Sequence, residues 1–310
     1  PALSLAETLP RIPGVVVRER QNQAQDVQLS IRGFGARASF GVRGVRLLLD
    51  DIPATMPDGQ GQVSHFLLPA TERVEVLRGP FSVLHGNAAG GVVAAYSEPP
   101  PAVAETELEG LAGNDGLWRA AASWRGPLSA RAGLRLDLQR AQADGFRRHS
   151  AWRRDGAQLQ ARGDLPGGGD WTLLGNHLDL AALDPQGLSE TQWRADPRAS
   201  STGALLFDTR KTVSQQQLGG RWRQPLGEAH ELQLVAYGGR RQTFQVLSVP
   251  VFAQASPTSG GGVIDLDRDY HGLDLRWRWQ ASDTLSLVAG LGRELAEERR
   301  RGYENFIGAT

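Results

Sequence analysis

Beyond residue 103, apolar residues take every second position in segment after segment, and this alternation limits the folds open to the chain more than any other feature. In Ala130–Leu138 the apolar side chains alternate with Arg131, Arg135 and Asp137, as a strand with one apolar and one polar face requires. His230–Gly238 repeats the pattern with Leu232, Leu234 and Ala236 on one face. Leu273, Leu275, Trp277 and Trp279 oppose Asp274, Arg276 and Arg278, and Leu285–Leu291 follows suit. At about 10 residues per span, about nine strands fit between residues 103 and 297. No stretch approaches the roughly 18 consecutive apolar residues of a membrane-crossing helix, so a helical membrane protein is excluded while a β-barrel is not.

The connections sort these strands further. Short turns are expected near Gly126–Ser129, Pro166–Gly169, Leu226–Ala229 and Ala281–Asp283, with long polar loops between them near 142–152, 182–211 and 248–268. A barrel with tight turns at one end and large loops at the other requires that alternation. All eight tryptophans lie beyond residue 117. Trp124, Trp222, Trp277 and Trp279 fall beside short turns, where an interfacial aromatic girdle would sit. The competing arrangement places the same tryptophans in the core of a soluble sandwich.

The first hundred residues read as a small mixed α/β unit. Leu3–Leu9 is a short helical candidate closed by Pro10 and Pro13, and Leu29–Arg32, Leu47–Ile52, Val74–Leu77 and Val92–Tyr96 are strand-like. Pro99–Pro101 mark the boundary, giving domains at 1–101 and 102–310. Gly33-Phe34-Gly35-Ala36-Arg37-Ala38 imitates a dinucleotide fingerprint, but Gly41 and Gly44 follow where a helix should begin.

Composition removes whole classes of function. The chain has 310 residues, 34 basic against 34 acidic, so no global field marks a nucleic-acid binder. With no cysteine there are no disulfides, thiolate metal sites or cysteine nucleophiles. The single lysine, Lys211, follows Arg210 and cannot complete a phosphate-binding Gly-Lys-Ser/Thr loop. Hydrolase and metalloprotease signatures are missing, so no catalytic residue is assigned. Asp50-Asp51, before Ile52-Pro53, reads as turn chemistry. One methionine, Met56, and six scattered histidines give little support to a soft-metal site, and His65 and His85 read as structural. Pro1 opens without the basic and apolar regions of an export signal, which leaves export undecided.

Four segments in order, SIRGFG (30–35), LLLDDIPA (47–54), ERVEVLRGP (72–80) and FSVLHGNAAGGVV (81–93), followed by the alternating region, resemble the plug domain of TonB-dependent outer-membrane receptors. The resemblance implies an α+β plug domain followed by part of an antiparallel transmembrane β-barrel, with about 9 of about 22 strands present. It implies a receptor in the bacterial cell outer membrane that imports a ferric siderophore, cobalamin or a similar scarce solute, energised by TonB with its inner-membrane complex and surrounded by outer-membrane lipid and lipopolysaccharide. It implies no enzyme activity, cofactor or nucleic-acid partner. Asp51 stands where the family usually has a turn glycine, His85 where it has a tyrosine, and the TonB box is missing. About nine strands leave an open edge that lipid cannot satisfy, so the natural chain is expected to continue past Thr310.

Within that family, Asp58-Gly59-Gln60-Gly61-Gln62 resembles the plug-apex loop of ferric citrate receptors, which maps Arg32, Gln60 and Gln62 onto ligand contacts. A ferric hydroxycarboxylate presents anionic oxygens that a guanidinium grips and carboxamides hydrogen-bond. The alternative for Arg32 is a structural plug arginine paired to a barrel carboxylate. Arg78, in the LRGP element, is implied to lie at the plug–barrel interface. Arg147, Arg148, Arg153 and Arg154, with Arg240, Arg241 and Arg299–Arg301, are possible mouth arginines for an anionic chelate or for lipopolysaccharide phosphate. The alternatives for the whole are a receptor for another solute, or a barrel enzyme or porin with its site beyond residue 310.

Overall fold

The computed structural model describes residues 7–19, 21–38, 41–61, 66–67, 70–79, 82–86 and 88–305. Nine strands, β7 (Glu105–Ala112), β8 (Trp118–Ser129), β9 (Ala132–Ala143), β10 (Trp152–Asp164), β11 (Asp170–Leu183), β12 (Arg210–Leu226), β13 (His230–Val246), β14 (Val263–Ser282) and β15 (Leu285–Tyr303), form one curved wall. Each pairs antiparallel with its sequence neighbour in the order β15 to β7. Tight connections at 130–131, 165–169, 227–229 and 283–284 lie at one end. The longer ones, at 113–117, 144–151, 184–209 and 247–262, lie at the other. Strand number and loop polarity thus agree with the sequence reading. Strand length does not: β12 to β15 run for 17, 17, 20 and 19 residues, and β14 begins inside the loop expected at 248–268.

Period two makes each strand two-faced. On β11 the residues from Thr172 to Leu183 alternate buried and less buried without a break. The open face carries a belt that includes exposed Leu136, Leu159, Leu173, Leu218, Leu275 and Leu291, aligned by the registers Leu136↔Leu159 and Leu275↔Leu291. Below it, Trp277 and Trp279 stack at 6.2 Å with His230 against both, and Trp171 pairs with Trp222. The inner face meets residues of the first hundred through a core that contains no tryptophan, while Trp277 is exposed, so the tryptophans do not form a sandwich core.

That inner unit has a hairpin of β1 (Val15–Arg18) and β2 (Gln28–Ile31) and a four-stranded mixed sheet in the order β4 (Ile52–Pro53), β3 (Val45–Leu49), β6 (Gly91–Ser97), β5 (Thr71–Arg78). β3 and β6 are parallel and central. Their near-continuous apolar runs follow from burial on both sides, and all five residues of β3 are buried. One core includes Leu29, Ile31, Leu47, Ile52 and Val93 and takes in Leu174, Val235, Tyr237 and Tyr270 of the wall. The expected Leu47–Ile52 strand is in fact a hairpin turning at Asp50-Asp51. Among the described residues no helix follows Gly33–Ala38, which is a pair of turns with Ala36 N–H on Gly33 O at 3.3 Å and Ala38 N–H on Gly35 O at 3.0 Å. The helix expected at Leu3–Leu9 lies mostly outside the described residues, which there show a 3-10 turn, Leu9–Arg11. Pro99–Pro101 lie between β6 and β7, and Glu98 beside them meets the wall through Arg135 at 3.2 Å.

Candidate functional site: the seam between plug and wall

The β3–β4 hairpin delivers the first cluster. Its two-residue turn holds Asp50 and Asp51 at φ 51° and 66°, the left-handed pair that the twist of a short hairpin favours. Asp tolerates that region better than most residues, which accounts for Asp51 where glycine is usual. The turn also aims both carboxylates outward. Asp50 is buried and accepts from Ser97 N–H at 2.9 Å, Ser97 Oγ at 2.7 Å and wall Gln160 Nε2 at 2.7 Å. Asp51 accepts from Tyr96 Oη at 3.0 Å and lies 3.6 Å from wall Arg221. Burial and then the adjacent Asp51 charge raise the Tyr96 phenol above its ordinary value, keeping it a donor.

A second cluster lies around a cavity of about 740 Å³ lined by Arg46, His85, Tyr237, Asp274, Arg276 and Glu294 among others. Arg46 on β3 reaches Glu294 on β15 through two guanidinium nitrogens, one at 3.3 Å, and Tyr237 Oη donates to the same carboxylate at 2.8 Å. Arg276 Nη2 donates to Leu84 O at 2.7 Å, at the one-turn helix α1 (Ser82–His85). Burial, then the charges of Arg276 and Arg46, lower the His85 imidazole to about 4, with Asp51 opposing, so it is neutral at pH 7.

The apex loop forms the third cluster. Met56 N–H donates to Gln60 O, and Asp58 Oδ1 caps Gln60 N–H at 2.9 Å. Arg268 of β14 donates to Gln60 Oε1 at 3.2 Å, lies 3.7 Å from Asp58 and pairs with Glu298. On the side of the long loops, Lys211 pairs with Asp26 at 2.8 Å, Arg154 donates to Phe66 O at 3.0 Å, and Asp184 accepts from Asn22 at 2.7 Å and from Gln25. Apolar plug side chains sit on wall glycines: a Cβ at Gly219 would lie 2.6 Å from Ile52, and one at Gly156 would lie 2.7 Å from Leu67.

The residues expected from sequence are distributed as follows. Gln60 lies in the Arg268 cluster, while Gln62 and His65 lie outside the described residues. Arg32 is exposed at φ 49°, its N–H on Gly14 O at 2.9 Å. Arg78, also exposed, donates to Pro13 O at 2.9 Å. Among the described residues no hydrogen bond or ion pair brings Arg32 to Gln60, because each belongs to a different turn held by different neighbours. The mouth arginines do not act as one set. Arg147 donates to Ala199 O at 2.8 Å, Pro185 O at 3.1 Å and Gln186 O, and Arg148 pairs with Asp196 at 2.7 Å, so both brace loop against loop. Consecutive strand residues point to opposite faces, so Arg153 faces outward, 3.5 Å from Asp155, while Arg154 faces the plug. Arg240 and Arg241 divide in the same way, onto Asp267 outside and Gln215 inside. Arg299 pairs with Glu297 and Arg301 with Asp265. The residues that sequence reasoning missed are Arg46, Asp184, Arg268 and Glu294, which carry no local signal. Lys211 was singled out only as the lone lysine.

A family model described as the TonB-dependent Receptor Plug Domain matches residues 1–92. The vitamin B12 transporter BtuB of Photobacterium profundum is 33% identical over 148 residues, which is 47% of this chain and 23% of that protein. Among solved structures, the ferric citrate transporter FecA in the unliganded form aligns with a TM-score of 0.75 at 21% identity over 96% of this chain and 45% of its own. The ferric yersiniabactin uptake receptor FyuA from Yersinia pestis aligns at 0.70 and 18%, over 96% and 46%. The chain therefore spans under a quarter of the curated relative and under half of each solved structure. Residues 1–92 are thus a plug domain of the TonB-dependent receptor type, seated against an antiparallel wall whose fold is that of the aligned outer-membrane receptors.

Proposed function

We propose that the protein is part of an active outer-membrane transporter that moves a ferric chelate past a displaceable plug, with TonB and its inner-membrane complex supplying the energy. One observation carries this reading. The plug packs on the concave face of the wall through a shared apolar core and through side-chain hydrogen bonds and ion pairs, at Asp50, Asp51, Arg46 and Asp26, that water can replace one at a time. Such a plug stops passive diffusion and still leaves its seat without breaking a covalent bond. No member of these clusters has the nucleophile-and-base arrangement of an enzyme.

For the ligand we favour an anionic ferric hydroxycarboxylate over the apex loop. Gln60 and Gln62 supply carboxamides, and Arg268 adds a guanidinium, only 14% exposed, that can exchange Asp58 for a ligand carboxylate. Arg32 and Arg78 both rest on the plug's own Pro13-Gly14 segment, apart from the Gln60 and Arg268 cluster, and are read as arginines that brace the plug. A vitamin B12-type solute is the second reading, favoured by the names of the curated relatives. Outward arginines such as Arg153 and Arg240 would meet lipopolysaccharide phosphate in competition with Asp155 and Asp267. The test is uptake of radiolabelled ferric citrate and cyanocobalamin by cells with the complete receptor, with and without TonB. Ferric citrate entering only with TonB is expected. Equal uptake without TonB would end the active-transport reading, and uptake of cyanocobalamin alone would move the ligand class.

A further inference from the structure

We propose that Asp184 couples the plug to the mouth of the barrel, so that withdrawal of plug segment 22–26 unlocks three of the long loops together. Asp184 is 6% exposed, at the end of β11. Among the described residues no cation lies within 4 Å of its carboxylate. The carboxylate accepts from three neutral donors: Asn22 Nδ2 at 2.7 Å and Gln25 Nε2 from the plug, and Gln186 N–H at 2.9 Å from its own loop. Two of the three donors therefore leave with the plug. A buried carboxylate left on one donor must be rehydrated. The same residue closes the loop stem: its N–H donates to Thr209 O at 2.8 Å and its carbonyl accepts from Thr209 Oγ1 at 2.6 Å, so a side chain that turns toward water in the vacated space draws on that stem.

From the stem the coupling continues through discrete contacts. Arg147, whose charge interacts with that of Asp184, grips the carbonyls of Pro185, Gln186 and Ala199 and ties loop 144–151 to loop 184–209. Arg198 reaches Asp115 at 2.9 Å and brings in loop 113–117. The three loops thus form one cap whose base is hydrogen-bonded to the plug, and the inference is independent of the ligand's identity.

These 310 residues contain no cysteine, so single-cysteine spin labels are placed in the complete receptor with any cysteine outside them replaced by serine. One label replaces exposed Trp193 in loop 184–209, and a control replaces exposed Glu228 in the opposite turn. Asn22→Ala with Gln25→Ala should shorten the rotational correlation time at position 193 by about twofold or more and leave position 228 unchanged. Adding Asp184→Asn, which removes the buried charge, should largely abolish that response. Hydrogen exchange of amides 184–209 in the same variants should follow the label. No change at position 193, an equal change at position 228, or a full response despite Asp184→Asn would each overturn the coupling.

Discussion

Arg46 and Glu294, 248 residues apart in sequence, meet through a two-point guanidinium–carboxylate contact that joins the plug's central strand to the last wall strand. Arg46 is nearly buried at 7% side-chain exposure, while Glu294 keeps 30%. Removing one partner strands a charge at the seam, and the remaining exposure of Glu294 sets the cost at about 3 kcal/mol, the low end for a buried pair. Arg46→Ala should therefore release the plug to protease at lower urea. Arg46→Glu combined with Glu294→Arg should recover part of the loss. An unchanged urea midpoint in Arg46→Ala would show that the pair contributes nothing to docking.

Acid should weaken plug docking through His85. Its imidazole is lowered to about 4 in the fold from an ordinary 6.5, chiefly by burial and then by Arg276 and Arg46. The unfolded plug binds the extra proton first, so the stability His85 allows is complete above about pH 6.5 and is lost as pH falls through about 4, by at most about 3 kcal/mol. His85→Gln should flatten urea release profiles between pH 7 and 4. A profile as steep as that of the parent protein would assign the pH dependence to other groups.

Wall glycines that face the plug should resist enlargement, and those that face outward should not. A Cβ at Gly219 meets Ile52 at 2.6 Å, whereas one at Gly175 finds only Leu218, at 3.8 Å. Gly219→Val should cost about 1–3 kcal/mol of plug docking by overpacking, and Gly175→Ala should leave docking unchanged. Differential hydrogen exchange on β4 distinguishes the two, and equal protection in both variants would contradict the seating of Ile52.

Ligand affinity should depend on Arg268 more than on Arg32. A charge-assisted hydrogen bond is worth roughly 1.5–3 kcal/mol, so Arg268→Ala should weaken binding of ferric citrate by about one to two powers of ten. Gln60→Ala should lose less, because its donor is neutral. Arg32→Ala should leave affinity nearly unchanged, because its turn is held on Gly14, away from the Gln60 and Arg268 cluster. Calorimetry on the complete receptor decides, and a larger loss from Arg32→Ala would restore Arg32 to the ligand site.

Much of the architecture is legible along the chain because its causes are local. The alternation at Leu273–Trp279 and Leu285–Leu291 marks which side chains face outward. The turn at 227–229 closes β12 onto β13 where expected, and the Asp50-Asp51 turn agrees with its reading as turn chemistry. Which face each mouth arginine takes is equally local. Arg153 and Arg154 are adjacent in a strand and so point to opposite faces. The Leu47–Ile52 run concealed a hairpin because its turn consists of two aspartates rather than the usual glycine pair.

The sequence by itself determined that the chain builds about nine two-faced strands with tight turns at one end, preceded by a small mixed α/β unit, because periodicity and turn chemistry act within a few residues. Only the tertiary structure decided which charges meet across the seam. Arg46 with Glu294, Lys211 with Asp26 and Asn22 with Asp184 are separated by 248, 185 and 162 residues. No periodicity links positions so far apart. Their pairing follows from how the wall curves around the plug, and from the cost of leaving a buried charge at that seam without a partner.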